Sequence, residues 1–406
     1  MDSLITAAAR ALSAGDPLAA LKKVALRDDP PALALRGIAM AQLGDLTRAR
    51  ELLRSAARAF GPKEPVARAR CAVADAEIAL VSRDLGRSLQ TLNAARAVLE
   101  ASGDRRNAGH AGYLEARHLL LMGRLDEADE VLNEFDANVL THASLVGREL
   151  VAAGIAIRRV RTEPARIALE RARRAAEYAR IPALASEVNQ AVRAFGAPAA
   201  RLVARGVERL LHLGEVERLF ASDTLIVDAC RNVVRAGKTV VPLATRPLLF
   251  ALIRALAEAW PEDVARETLL KRAFRALHAD ESHRARLRVE IGRLREAVKP
   301  LAALIATREG FVLQPNVTGD VAVLAPPVES DHAEVLALLG DGEAWSSSAL
   351  ALALSVSPRT VQRALEKLAH DSKVEAFGRG RACRWVASTV PGFPTSLLLP
   401  AVEMSV

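Results

Sequence analysis

The stretch Ser357-Pro358-Arg359-Thr360-Val361-Gln362-Arg363-Ala364-Leu365 reads as the opening of a helix with two unlike faces. A serine hydroxyl at Ser357 can take one of the amides that a helix start leaves without a partner, and Pro358 suits the first helical position. Val361, Ala364, Leu365 and Leu368 fall at i, i+3, i+4 and i+7, which buries one stripe. The opposite face carries Arg359, Gln362, Arg363 and Glu366, with Thr360 and Lys367 beside them. Arginine can bind guanine through two bonds and glutamine can do the same with adenine, so this face is suited to reading a DNA groove.

Residues 331–387 read as one small domain around that helix. His332–Leu339 forms a first helix, ended at Gly340-Asp341-Gly342. Ser346-Ser347 caps a second, Ser348–Leu354, and Ser355-Val356-Ser357 turns into the third. Two strands, Lys373–Phe377 and Cys383–Val386, then flank a tip of Gly378-Arg379-Gly380-Arg381. The spacing of Ala351, Ser355, Val356, Ser357, Thr360, Val361, Arg363 and Leu365 resembles the helix-turn-helix pattern, with Ser355 where glycine is usual. The resemblance implies a winged helix that docks its third helix on double-stranded DNA. Ser357, Arg359, Thr360, Gln362 and Arg363 are then the candidate contacts at the helix start. Lys367, Arg379 and Arg381 are candidate phosphate clamps, which add salt dependence rather than sequence choice.

A second such pattern occupies residues 222–315. Leu225–Asp228, Asn232–Val234 and Lys238–Leu243 are short, β-branched strands. Three helices follow, Arg246–Glu258, Arg266–Arg275 and Ser282–Val298, and a hairpin around Glu309-Gly310 closes the segment. In the last of these helices Leu287, Ile291, Leu294 and Val298 form the buried stripe. Arg284, Arg288 and Arg295 line one flank, and Arg286 and Arg293 the other. The strip facing directly away from the core holds Val289 and Gly292. The motifs Arg266-Glu267-Thr268-Leu269, Val289 to Arg295 and Arg308-Glu309-Gly310-Phe311 resemble the OmpR-type winged helix of response regulators and antibiotic regulatory activators. The resemblance implies a third helix in the major groove and a hairpin on the adjacent minor groove or backbone. Arginines on both flanks suit phosphates on both groove walls, which position a protein without specifying sequence. Protein contact in place of DNA contact is the competing reading of this segment.

Upstream the sequence is helical and repetitive. A turn unit recurs as Gly15-Asp16-Pro17-Leu18-Ala19, Gly44 to Ala49, Arg83 to Ser88, Gly123 to Ala128 and Arg161 to Ala165. The last four begin about 38 to 40 residues apart. A glycine or polar residue ends one helix, and a small alanine four or five positions on lets the next pack closely, the mark of stacked helix pairs. This resembles the tetratricopeptide family over residues 4–180. It implies a groove for a peptide or protein, with dimerisation or spacing as the other role. Two more helices are expected at Ala183–Phe195 and Ala199–Leu213, parted by Gly196-Ala197-Pro198.

The expected fold class is therefore mainly α: a helical-repeat, tetratricopeptide-like array (residues 1–215) followed by two α+β winged-helix domains (222–315 and 331–387). Residues 316–330 are expected as a linker, although Val321–Leu324 has the composition of one extra strand, and residues 388–406 as a tail. The net charge of +8 is unevenly spread. From Arg266 to Lys299 ten Lys/Arg stand against five Asp/Glu (+5), and from Ser357 to Arg384 seven against three (+4). Between them, Leu301 to Leu350 holds one Arg and seven acids (−6), so positive charge gathers on the two expected DNA-facing segments.

Other function classes find no motif here. Cys71, Cys230 and Cys383 match no metal spacing and fit a reducing compartment. No apolar run approaches roughly 18 residues and no basic signal start is present, so a cytoplasmic chain without a membrane span is expected. GxxxxGK[ST], GxGxxG after a strand and HExxH are all missing, so no enzyme, metal or cofactor is expected. His110 and His118 read as helix-surface or satisfied core residues, and Tyr113 and Trp260 as core. The expectation is a DNA-binding transcription regulator, with a homodimer or a partner in the repeat groove. The alternative is a protein-interaction adaptor.

Overall fold

The computed structural model describes residues 2–85, 89–274, 281–327, 332–339, 344–354, 356–378, 380 and 383–387. The expectations at Gly86–Ser88, Gly340–Gly342, Ser355, Arg379, Arg381 and 388–406 lie outside these residues. Among the described residues the chain is mainly helical, with eighteen α-helices and eleven short strands. It divides into two compact units. One holds the described residues through Arg159, Glu163–Ala194 and those from Glu334 onward; the other holds those of Val160–Thr162 and Phe195–Ala333.

The first unit begins with α1 (Ser3–Ser13), α2 (Pro17–Val24), α3 (Pro30–Gln42), α4 (Leu46–Phe60), α5 (Pro65–Val81) and α6 (Leu89–Ala101). It continues with α7 (Arg105–Leu121), α8 (Leu125–Asn133), α9 (His142–Arg158), α10 (Thr162–Ala179) and α11 (Pro182–Gly196). The recurring turn has one geometry. Gly15, Gly44 and Gly123 are left-handed (φ 73°, 88° and 75°), and Arg83 and Val160 take the same conformation (49° and 54°). The following amide bonds a carbonyl five residues back: Asp16 to Ala11, Asp45 to Met40, Asp84 to Ala79 and Arg124 to Leu119, at 2.8–3.0 Å. This satisfies the orphan carbonyl of the finished helix. Asp16 and Asp45 then cap the next helix by accepting from Ala19 N and Arg48 N. Ala20, Ala49, Ala128 and Ala165, each five residues past the turn residue, are fully buried.

The helices of α1/α2, α3/α4, α5/α6 and α7/α8 pack as pairs, and α1, α3, α5, α7 and α9 also touch in succession. A buried polar string joins three of them. His110 on α7 lies 3.0 Å from Ser144 Oγ on α9 and 3.1 Å from Glu77 Oε2 on α5. Tyr113 Oη donates to Glu77 Oε1 at 3.4 Å. The partners stand 33 to 36 residues apart, as do Arg50 and Asp84 (34) and Arg70 and Asp104 (34).

The second unit contradicts two expectations. Ala199–Leu213 is not a helix: β1 (Ala200–Ala204) and β2 (Val207–Leu211) pair around Arg205-Gly206. Both turn residues have positive φ (49° and 75°), the geometry that lets a two-residue turn follow strand twist. Short apolar runs such as Leu202-Val203-Ala204 fit either period, and the turn decides. After α12 (Leu213–Phe220) come β3 (Leu225–Asp228), β4 (Val233–Ala236), β5 (Thr239–Pro242) and α13 (Pro247–Ala259). Next are β6 (Val264–Ala265), α14 (Arg266–Phe274), α15 (Glu281–Val298), β7 (Ala302–Ala306), β8 (Gly310–Pro315) and β9 (Val321–Ala325). The expected linker 316–330 thus contains β9. All five of its residues are buried, and it lies between β1 (antiparallel) and β3 (parallel) in a sheet of order β2-β1-β9-β3-β4-β5. A continuous apolar run is what a central strand covered on both faces requires. A second sheet of order β6-β8-β7 includes the expected hairpin around Glu309-Gly310.

The first unit resumes with α16 (Ala333–Leu339), α17 (Ser347–Ala353), α18 (Pro358–His370), β10 (Val374–Phe377) and β11 (Arg384–Ala387). Trp345 and Trp385 exchange backbone bonds of 2.9 and 2.8 Å, an isolated β-bridge beside the β10/β11 hairpin. This segment shares one apolar cluster with α5–α9. In that cluster Trp345 is fully buried, with the Arg83 guanidinium 5.3 Å over its ring. No helix among the described residues is long and apolar enough to cross a membrane.

Candidate nucleic-acid interface

The start of α18 is built as its residue types dictate. Ser357 Oγ accepts from Thr360 N at 3.1 Å and lies 2.8 Å from Thr360 Oγ1, so both hydroxyls serve the cap. Val361, Ala364, Leu365 and Leu368 are buried against the domain. Arg359, Thr360, Arg363, Glu366 and Lys367 are exposed on the other side, and Gln362 is half-buried. Gln362 Nε2 donates to Glu366 Oε1 at 3.1 Å, a one-turn pair that occupies part of its amide. Arg359 and Arg363 have no hydrogen bond or ion pair among the described residues. They and Lys367 follow one another at four-residue steps, about 6 Å apart along the axis. The hairpin next to this helix closes at Phe377 and Arg384, and its Gly378 and Gly380 are left-handed (φ 79° and 59°). Arg379 and Arg381 at its tip lie outside the described residues.

The Arg-rich helix α15 is differently disposed. Leu287, Ile291, Leu294 and Val298 are buried, and Arg284, Arg286, Arg288, Arg293 and Arg295 are exposed along its flanks. Arg293 and Arg295 are held by their own domain, and Arg284 and Arg286 are engaged as well. Arg293 pairs at 2.9 Å with the buried Glu290. Arg295 Nε donates to Leu304 O at 3.0 Å, and its guanidinium lies over the Phe311 ring. Arg295 thus joins α15 to the β7/β8 hairpin. Arg266, at the start of α14, also reaches that hairpin, donating to the Thr307 and Arg308 carbonyls and lying 5.3 Å from the same ring centroid. Arg288 has no hydrogen bond or ion pair among the described residues. On the outward strip Val289 is 54% exposed, and a Cβ added at Gly292 would meet no atom within 4 Å. Packing inside the domain does not require glycine there.

The Glu77–His110–Ser144 string, a carboxylate, an imidazole and a hydroxyl in line, matches no local sequence motif. Its signal is polar residues at matching positions of successive helix pairs, 33 and 34 residues apart. All three side chains are 2% exposed or less, which closes them to any substrate and makes them a tie between α5, α7 and α9. Among the described residues no group of His, Cys, Asp or Glu is arranged to hold a metal ion. No family model, curated protein or solved structure matches the chain.

Proposed function

We propose that the chain is a DNA-binding transcription regulator. In this reading a tetratricopeptide-like array carries dimerisation or partner binding, and two winged-helix segments meet the duplex. The observation that carries it is the exposed face of α18, where Arg359 and Arg363 project from a capped, well-anchored helix with no partner among the described residues. Solvated guanidiniums held on a rigid element and left unpaired are suited to bidentate bonds with guanine O6 and N7. The flanking arginines of α15 support a second, less selective role as phosphate contacts. Val289 and Gly292 offer no hydrogen-bonding side chain to a base, so α15 supplies grip and α18 supplies choice.

The test is a titration of the full chain against duplex DNA at several salt concentrations, including the region upstream of its own gene. Neutralised phosphates release counterions, so the logarithm of the binding constant should fall steeply with the logarithm of salt. Undetectable or salt-insensitive binding contradicts the reading and leaves an adaptor that contacts proteins through both segments.

A further inference from the structure

The first unit contains a slot of about 410 Å³ between the N-terminal halves of α3 and α5 and the C-terminal end of α4. Leu35, Ile38, Leu53 and Phe60 supply its apolar wall, and small residues at Ala34 and Ala67 keep it open. The volume lies within the range of small-molecule sites, and such sites are lined mainly by apolar side chains.

Charge narrows the occupant further. The lining contains two charged groups, Glu64 and Arg70. Arg70 is bound at 2.7 Å to Asp104, so its charge is already met, and Glu64 is exposed, so its carboxylate is solvated at the rim. Cys71 on the same wall is 5% exposed, and burial pushes its thiol up to about 12, which keeps it neutral. A wall of aliphatic and aromatic side chains suits an apolar molecule, because covering apolar surface removes it from water. We infer that this slot is a binding site for a small, uncharged, apolar molecule. The site is independent of the DNA reading, because none of its residues belongs to α15 or α18.

The experiment is a fluorescence titration of the full chain with N-phenyl-1-naphthylamine, a neutral probe that brightens in apolar surroundings. Saturable binding of one probe per chain, displaced by decan-1-ol and less readily by decanoate, is expected. Ala67→Leu and Ala34→Phe each fill the slot and should weaken probe binding at least about tenfold, with helical circular dichroism unchanged. If Ala34→Phe does not fold, the smaller Ala67→Leu carries the comparison. Absence of saturable binding, or equal affinity in the folded filling variants, overturns the assignment. Tighter displacement by decanoate than by decan-1-ol overturns its uncharged character.

Discussion

Helices α15 and α18 both present a basic face, yet the one with more arginines has less to offer a base. On α15, Arg293 is drawn to Glu290 and Arg295 to the Leu304 carbonyl and the Phe311 ring. On α18, Arg359 and Arg363 stand on a helix fixed by its serine cap and its buried stripe, and neither is engaged by a neighbour among the described residues. The difference teaches that a count of charges is a poor guide to recognition. What matters is which guanidiniums remain available on a face whose backbone is held still, and what lies between them. Between the flanks of α15 lie a valine and a glycine; beside the arginines of α18 lie a threonine and a glutamine.

The comparison can be broken at several points. The largest effect is expected from Arg359→Ala together with Arg363→Ala. Loss of two bidentate base contacts should weaken binding to a preferred duplex by about 2 kcal/mol or more, roughly 30-fold, while a random duplex is held nearly as before. Competition binding at fixed salt measures it. The counterpart on the other helix, Arg284→Ala, Arg286→Ala and Arg288→Ala combined, should weaken binding to every duplex alike. Its salt slope should drop by about one unit for each phosphate contact removed. An equal loss of preference from both sets would erase the division between grip and choice.

Smaller effects concern stability and are read from thermal unfolding. Ser357→Ala removes the cap of α18 and should cost about 1 kcal/mol. Arg295→Ala should cost a similar amount, about 1 kcal/mol, because it strips a hydrogen bond that ties α15 to its hairpin. Arg288→Ala should stay within about 0.5 kcal/mol, as surface changes usually do. Gly292→Ala should stabilise α15 by roughly 0.5–1 kcal/mol, since nothing inside the domain occupies the space of the added methyl. A fall in DNA affinity in that stabilised variant would place the glycine against the duplex backbone.

What could be read in the sequence follows the range of the interactions. Helix α18 was legible because its cap, its proline and its apolar spacing all lie within twelve residues. The turns at Gly15, Gly44 and Gly123 were legible for the same reason: a left-handed residue followed by an aspartate or an arginine is a local device. At the fifth turn the left-handed residue is Val160, a β-branched side chain that gives no such hint. The β1/β2 hairpin was misread because its short apolar runs fit either period, and β9 was only suspected because its meaning is non-local. Arg201 finds its partner at Ala325, and until that pairing is known an apolar run between Pro315 and Pro326-Pro327 looks like a linker. The buried string through His110 was hidden in the same way, each member a full helix pair from the next. At the candidate interface the apolar spacing alone shows which arginines of α15 and α18 are exposed. It could not show that Gln362 pairs with Glu366 or that Arg295 turns back onto its own hairpin, since both depend on where neighbouring side chains come to rest.

The central claim is that α18 chooses the DNA sequence. The most direct measurement is selection of duplexes from a random pool by the full chain, by Arg359→Ala/Arg363→Ala and by Arg284→Ala/Arg286→Ala/Arg288→Ala. The unaltered chain and the α15 variant should enrich the same sequence, and the α18 variant should enrich none. Enrichment of that same sequence by the α18 variant would contradict the account.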